Sequence, residues 1–427
     1  SLGCRASQAD GAAIEASLET RGYLAVREAS LADLVVLNTC TVTQGADVDA
    51  RRIVRGWHRD HPGAEILVTG CYAQRAPEEL AKLAGVRWVV GKSHKTEIAD
   101  LVSTPHEDYH GQMLVSDIAL HRDFLASPVD DVREGRTRPN LKVQDGCGNR
   151  CSFCIIPSVR GPSRSAPLEN VLGQLRDLAA RYAEIVLSGI NLGRWGRDLP
   201  DGLRFVDLLR AILRETPVQR LRISSVEPMD WSAELFDLIA HANEPSRIAR
   251  HVHLPLQSGS DAVLKRMFRK YRTRHYATRL EIARRLMPDA AIGADVMTGF
   301  PGETDAEFEE TMRFIEGQPF TYLHVFTYSE RPGTHAAAQG TSVPMAIRRE
   351  RTRLLRELSD RKNAEFRRRM IGLRLPAVTL EQPGMALTSN FLKVEMSAAR
   401  EPNQLVNLEI GSVTAAGLRE RSLLPVI

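Results

Sequence analysis

The six cysteines fall into two groups of three. Cys147, Cys151 and Cys154 form a tight C-x3-C-x2-C run, followed by Ile155-Ile156-Pro157. Three thiolates so close together can wrap one face of a metal centre. The preceding histidines, His110 and His121, lie too far upstream to complete a local set of four. Structural zinc closes its shell with four protein ligands, whereas a 4Fe–4S cluster held by three cysteines leaves one iron open. The spacing therefore favours a three-cysteine cluster over a zinc site or plain reduced thiols. Cys4, Cys40 and Cys71 are far apart in sequence, and free cysteine also packs well as a small apolar residue. Their setting says more. Cys40 and Cys71 each end an apolar run, at 33–40 and 65–71, that reads as a parallel strand buried on both faces.

These cysteines need elements to position them. Helical patterns at 7–20, 46–59 and 77–83 alternate with the first two runs, and Cys4 is expected to end a preceding strand. In an open α/β sheet the carboxyl ends of neighbouring strands share one crevice, so three thiols delivered there can meet at one metal centre. From residue 139 the alternation continues, with strands expected at 141–144, 184–187, 221–224, 251–255, 292–297 and 323–328. Helices are expected at 168–182, 205–215, 233–241, 260–267, 275–286 and 305–317. Six such units make a partial barrel related to the eightfold one, with the tight cysteine run at its C-terminal mouth. Polar and glycine clusters at 188–191, 224–228, 257–261 and 295–303 end other strands at that mouth and point to a cofactor pocket. After residue 371, short alternating runs read as a small β-barrel, a fold that grips single-stranded or looped RNA. Phe391 is the tail's one aromatic residue.

Composition narrows the class. The chain has 427 residues, 43% hydrophobic and 26% charged, which excludes a mostly disordered protein and allows two or three domains. Six cysteines are too few for a disulfide-stapled secreted scaffold. No run of ~18 apolar residues could span a membrane, and the first residues lack a secretory leader pattern. The expected location is the cytoplasm, with no membrane partner. Net charge is only +4, yet residues 265–285 carry nine basic residues against one acid and 345–370 carry ten against four. Such blocks suit a polyanion, or are solvated helix faces.

Taken together, these motifs resemble the radical S-adenosylmethionine (SAM) methylthiotransferases. Cys147-x3-Cys151-x2-Cys154 is similar to the radical SAM signature. Leu2-Gly3-Cys4, Asn38-Thr39-Cys40 and Thr69-Gly70-Cys71 resemble that family's N-terminal domain. The segments SGINLG at 188–193, LRISSVEP at 221–228, HLPLQSGSD at 253–261 and LHVFTYSERPGT at 323–334 look like its MtaB-type branch. That branch modifies N6-threonylcarbamoyladenosine beside the tRNA anticodon. Sister branches act on isopentenyladenosine in tRNA or on an aspartate of a ribosomal protein.

The resemblance implies an α/β protein of three parts: an N-terminal open α/β sheet domain over 1–104, a radical SAM partial (β/α)6 barrel over 138–371, and a TRAM-like RNA-binding β-barrel over 372–427. Residues 105–137 read as a linker. It implies two 4Fe–4S clusters. One, on Cys147, Cys151 and Cys154, would hold SAM and, fed by a low-potential electron donor, generate the radical that takes hydrogen from adenine C2. The other, on Cys4, Cys40 and Cys71, would hold the sulfur to be inserted, with a second SAM giving the methyl group. Phe153, Ser188, Gly189, Glu227, Gln257 and Asp295 are the expected SAM pocket. His251 and His253 read as packing or substrate contacts, and Arg194, Arg197 and Arg331 as candidate cations for the substrate carboxylate. The implied partner is a tRNA anticodon stem-loop. A basic face on the terminal barrel would favour tRNA, and an acidic face the ribosomal protein. A non-catalytic iron–sulfur RNA-binding protein is the reading from another class, and SAM cleavage would exclude it.

Overall fold

The computed structural model describes residues 1–422 apart from 27, 29, 30, 105–110, 123, 125–136 and 242–246. The N-terminal part runs α1 (Arg5–Glu19), β1 (Leu34–Thr39), α2 (Gln44–Asp60), β2 (Glu65–Gly70), α3 (Cys71–Arg75), α4 (Pro77–Ala81), β3 (Val86–Val90), α5 (Ile98–Ser103) and β4 (Gln112–Leu114). Its four strands pair in parallel in the order β1-β2-β3-β4. The apolar run of β2 serves two cores at once. Ile66 and Val68 pack on one face, and Leu67 packs on the other against Ile14 of α1 and Ile98 of α5. The segment read as a linker contributes β4 to this sheet. The expected strand before Cys4 is not formed among the described residues. Instead the Leu2 amide donates to the Asn38 carbonyl at 2.8 Å, seating Cys4 beside the end of β1.

The middle part runs β5 (Asn140–Asp145), α6 (Ile156–Arg160), β6 (Arg164–Ser165), α7 (Leu168–Ala179), β7 (Glu184–Gly189), α8 (Phe205–Glu215), β8 (Arg220–Ile223), α9 (Ala233–His241), β9 (His251–His253), α10 (Asp261–Arg266), α11 (Thr273–Leu286), β10 (Ala291–Thr298), α12 (Asp305–Gly317), β11 (Tyr322–Thr327) and α13 (Met345–Arg368). β5, β7 and β8 pair in parallel, as do β9, β10 and β11, and bridges at Leu221–Ile248 and Ser225–His253 join the two sets. The result is an open half barrel, and α1 packs onto β5 and β7. Strand alternation divides its residues. Leu141, Ile185, Leu221, Val252, Ile292 and Leu323 pack outward with the helices. Their neighbours in sequence, among them Lys142, Glu184, Arg222, His251 and Tyr322, face the lumen.

That lumen is polar. Glu184 accepts from Arg220 Nε at 2.6 Å and from Arg222 Nε at 2.8 Å, with all three side chains buried. Burial pushes the Glu184 carboxyl up, but Arg222 and Arg220 outweigh it and hold the pKa at about 2. Because the folded value lies below the ordinary 4.5, this contribution is present above pH 4.5 and is lost as pH falls towards 2. Glu184→Gln leaves two buried guanidiniums without their carboxylate and is expected to cost about 3–5 kcal/mol, read by chemical denaturation at pH 7.

The tail folds as β12 (Arg374–Thr379), β13 (Met385–Thr388), β14 (Lys393–Glu395), β15 (Leu405–Val413) and β16 (Leu418–Glu420), a closed barrel ordered β12-β13-β14-β16-β15. It plugs the floor of the half barrel. Arg222 donates to the carbonyls of Thr388 and Ser389, both at 3.0 Å, and the Phe391 ring stacks on His251 at 4.5 Å. Residues 372–421 carry five basic and five acidic residues. Arg400, Arg419 and Arg421 pair with Glu420, Glu395 and Glu409. The barrel face is therefore neither basic nor acidic, and its charge does not decide between RNA and protein substrates. Arg367, in the second basic block, donates to the Thr414 and Ala415 carbonyls, so it is a strut beneath the barrel. No described helix is long and apolar enough to cross a membrane.

Candidate metal and cofactor site

The strand ends bring each cysteine trio together and set the two trios against each other. Cys40 follows β1 and Cys71 follows β2. Gly70 adopts φ +103°, and a Cβ there would strike the backbone of Thr39, so only glycine lets the two strand ends close up at the crevice. Gly3 lies so close to Cys40 that a Cβ there would strike its side chain, which sets Cys4 beside Cys40, and the Cys154 amide donates to the Cys151 carbonyl at 3.0 Å within the second trio. Cys71 packs directly against Ile155 and Val159, which follow the second trio. Arg160 closes the junction. It donates to Ser7 Oγ at 3.1 Å, to Asp10 at 3.1 Å and to Asp145 at 2.7 Å, and Ser7 Oγ lies 3.8 Å from Cys4 Sγ. Asp10 also takes Lys142 Nζ at 2.5 Å and Lys95 Nζ at 3.1 Å. This buried ionic knot ties the N-terminal sheet to the half barrel at the point where both trios open.

The donor geometry fits clusters better than single ions. A tetrahedral ion with metal–sulfur bonds of about 2.3 Å needs its sulfurs about 3.8 Å apart. Among the described residues, neither trio brings its three sulfurs within 4.8 Å of one another. A polynuclear cluster is wider. N–H groups also aim at the sulfurs, as cluster sites require. Asn149 N and Asn191 Nδ2 lie 3.4 and 3.5 Å from Cys147 Sγ, Val42 N lies 3.5 Å from Cys40 Sγ, and Arg269 Nη1 lies 3.3 Å from Cys151 Sγ. Burial pushes the Cys40 thiol up to about 11 and the Cys154 thiol up to about 12. Desolvation also acts upward on Cys4, but Arg160 and the Ser7 hydrogen bonds outweigh it and lower that thiol. Iron must displace these protons to bind.

Arg269 has a second contact. It pairs with Glu227, and both line a small cleft beside Cys151, together with Asn149, Arg194 and Lys270. Arg269→Gln removes a cationic donor from the Cys151 sulfur. The reduction potential of a cluster held there is expected to fall by ~60–130 mV, since a charged hydrogen bond contributes ~1.5–3 kcal/mol and a tenfold change is about 59 mV for one electron. Redox titration followed by paramagnetic resonance reads the shift.

The expected pocket residues spread around the mouth. Phe153 packs beneath the cysteine loop against Val263, Met267 and Phe300. Glu227 lines the cleft. Ser188 is buried and faces the lumen, with its Oγ 3.5 Å from the Leu141 carbonyl. Gly189 abuts Gln144 so closely that a Cβ would lie 2.9 Å from it. Gln257 adopts φ +66° and exchanges backbone bonds with Asp295 at 2.8 Å and Met297 at 2.9 Å. The Asp295 carboxylate lies 3.4 Å from His253 and 3.3 Å from His324, and these imidazoles hold it below the ordinary carboxylate range despite burial.

Sequence reading passed over Gln144, Asn191, Arg160 and Arg269. Gln144 bonds the Asp145 and Gly146 carbonyls at 2.8 and 2.9 Å and takes the Asn191 amide at 2.7 Å, fixing the approach to Cys147. Asn191 lies inside the 188–191 cluster and Arg160 just after the cysteine run, whereas Arg269 stands in the sequence only as one charge of the basic block at 265–285. Of the candidate cations, Arg331 is buried and pairs with Asp47 and Thr41 across the junction. Arg194 and Arg197 both pair with Asp230. Each of the three therefore already has a carboxylate partner.

Comparison with known proteins agrees with this arrangement. Residues 141–315 match the Radical SAM superfamily and residues 1–91 match the Uncharacterized protein family UPF0004. The chain is 36% identical to a threonylcarbamoyladenosine tRNA methylthiotransferase MtaB of Aquifex aeolicus, over 96% of this chain and 98% of that one. It is 39% identical to the Bacillus subtilis protein of the same name, over 86% and 80%. A tRNA-2-methylthio-N(6)-dimethylallyladenosine synthase of Thermobifida fusca is 32% identical over 96% and 82%. Among solved structures, the radical SAM methyltransferase TsrM of Kitasatospora setae superposes with a TM-score of 0.53 at 17% identity, over 71% of this chain and 63% of that one, a likeness of fold alone. Two facing cysteine trios on an open sheet and a half barrel, matched along nearly the whole chain, make this protein a member of the radical SAM methylthiotransferase family.

Proposed function

We propose that this protein transfers a methylthio group to C2 of N6-threonylcarbamoyladenosine beside the anticodon of tRNA. The observation that carries the reading is the pair of facing trios, because radical formation and sulfur delivery must act on one carbon. The relatives named for that nucleoside, matched over 98% and 80% of their lengths, support this substrate. When bound, two 4Fe–4S clusters and SAM supply one-electron chemistry at an unactivated C–H bond, the sulfur atom and the methyl group.

The chain's own residues supply the geometry. Cys147, Cys151 and Cys154 hold one cluster, and Cys4, Cys40 and Cys71 hold the other. Arg269 and Asn191 stabilise the thiolates of Cys151 and Cys147 through hydrogen bonds. Gln144 fixes the loop between β5 and Cys147. Phe153, Ser188, Gly189, Glu227, Gln257 and Asp295 are assigned to the SAM pocket. Arg160 and Asp10 hold the two trios in register. A low-potential carrier delivers the electrons, and the work is cytoplasmic.

The test is anaerobic turnover of a threonylcarbamoylated anticodon stem-loop with SAM and reductant. The product is expected to gain one sulfur and one CH2 on the target adenosine. SAM consumption with no mass gain contradicts the proposal.

A further inference from the structure

The lumen of the half barrel holds an excess of positive charge that the two trios do not use. Near its floor Arg138, Arg220 and Arg222 share one carboxylate, Glu184. Both terminal nitrogens of Arg220 lack a hydrogen-bond partner although the residue is only 2% exposed. A fourth guanidinium enters from the N-terminal sheet. Arg5, the residue after Cys4, opens α1, which lies on β5 and β7. Its carbonyl accepts from Asn140 Nδ2 at 3.0 Å, which holds the residue beside the first position of β5, the strand that carries Lys142 into the lumen. Arg5 is exposed, and no described carboxylate comes within 4.0 Å of its guanidinium. Arg194, Arg197 and Arg331, in contrast, are each already paired.

An unpaired guanidinium beside a cysteine of the sulfur-holding trio, in a lumen with spare positive charge, is a site for an anion. The proposed substrate carries one. Its threonyl carboxylate hangs from N6, on the same ring as C2 with only N1 and C6 between, so a base held with C2 at the trios keeps its side chain close to them. Resting on the threonylcarbamoyladenosine reading, we infer that Arg5 binds the substrate's threonyl carboxylate and thereby selects this nucleoside. The planar fork of arginine matches a carboxylate with two parallel hydrogen bonds. Arg138 and Arg220 add the field that makes an anion welcome there.

The test compares two anticodon stem-loops, one with the threonylcarbamoyl acid and one with its carboxamide. Binding to the cluster-loaded enzyme is measured by fluorescence anisotropy, and conversion by single turnover. The native protein is expected to favour the acid by about 10- to 100-fold. Arg5→Gln is expected to bring that ratio close to one, and Arg5→Lys to keep part of it, since the charge remains while the fork is lost. A general disturbance of the fold weakens both stem-loops together and leaves the ratio, so an unchanged ratio in Arg5→Gln overturns the assignment. If Arg5→Gln does not fold, an Arg5→Lys ratio equal to the native one overturns it instead. A native enzyme that converts the acid stem-loop without preferring it over the amide refutes the carboxylate site alone. Failure to convert the acid stem-loop at all refutes the substrate reading beneath it.

Discussion

Replacing Cys4, Cys40 and Cys71 together by alanine is expected to halve the iron of the reconstituted protein, from about eight to about four atoms per chain. Reductive cleavage of SAM persists in this variant and methylthio transfer is abolished. The division follows from the architecture. Cys40 and Cys71 follow strands of one sheet and Cys4 caps the helix beside it, while Cys147, Cys151 and Cys154 lie in the loop after β5 of another sheet. Cys→Ala truncation removes little volume at the contact of Cys71 with Ile155 and Val159. The ionic knot of Arg160, Asp10 and Asp145 stays complete, so the junction keeps its register. Full iron content in the triple variant contradicts the assignment of these residues as ligands.

The second large effect concerns the substrate. A stem-loop carrying threonylcarbamoyladenosine is expected to turn over faster than one carrying isopentenyladenosine by as much as ~10⁴-fold. A site built to bond polar groups rejects an apolar analogue because its own buried polar groups are left unpaired. The lumen has that character. It sets Arg220, Arg222, His251, His253 and Asp295 where an isopentenyl pocket would present aliphatic carbon. Single-turnover rates on the two stem-loops read the ratio directly. Equal rates, or faster conversion of the isopentenyl form, move the protein to the branch represented by the Thermobifida fusca relative.

Most of the framework was legible because the periodicity was strong. The helices at 205–215, 233–241 and 305–317 form over those very residues, and all six barrel strands lie within two residues of their expected ends. The short elements β4 and β6 were not legible, since three and two residues carry no usable period. The cysteines announced themselves by type and spacing. Their supports did not, because they are tertiary. Arg269 meets Cys151 across more than a hundred residues of chain. Arg331 looked like a free cation near the mouth, yet it spends its charge on Asp47 of α2. Which arginine is paired depends on what folds next to it. For the same reason Arg367, one of the ten basic residues of 345–370, belongs to a strut and not to an open cationic face.

On this reading the chain places sulfur and methyl on threonylcarbamoyladenosine in tRNA. Mass spectrometry of nucleosides from bulk tRNA, compared between cells with and without the gene, tests it most directly. Without the gene, 2-methylthio-N6-threonylcarbamoyladenosine is expected to disappear, unmethylthiolated threonylcarbamoyladenosine to rise in its place, and 2-methylthio-isopentenyladenosine to stay unchanged. Persistence of the methylthiolated threonylcarbamoyl nucleoside, or loss of the isopentenyl one instead, would contradict it.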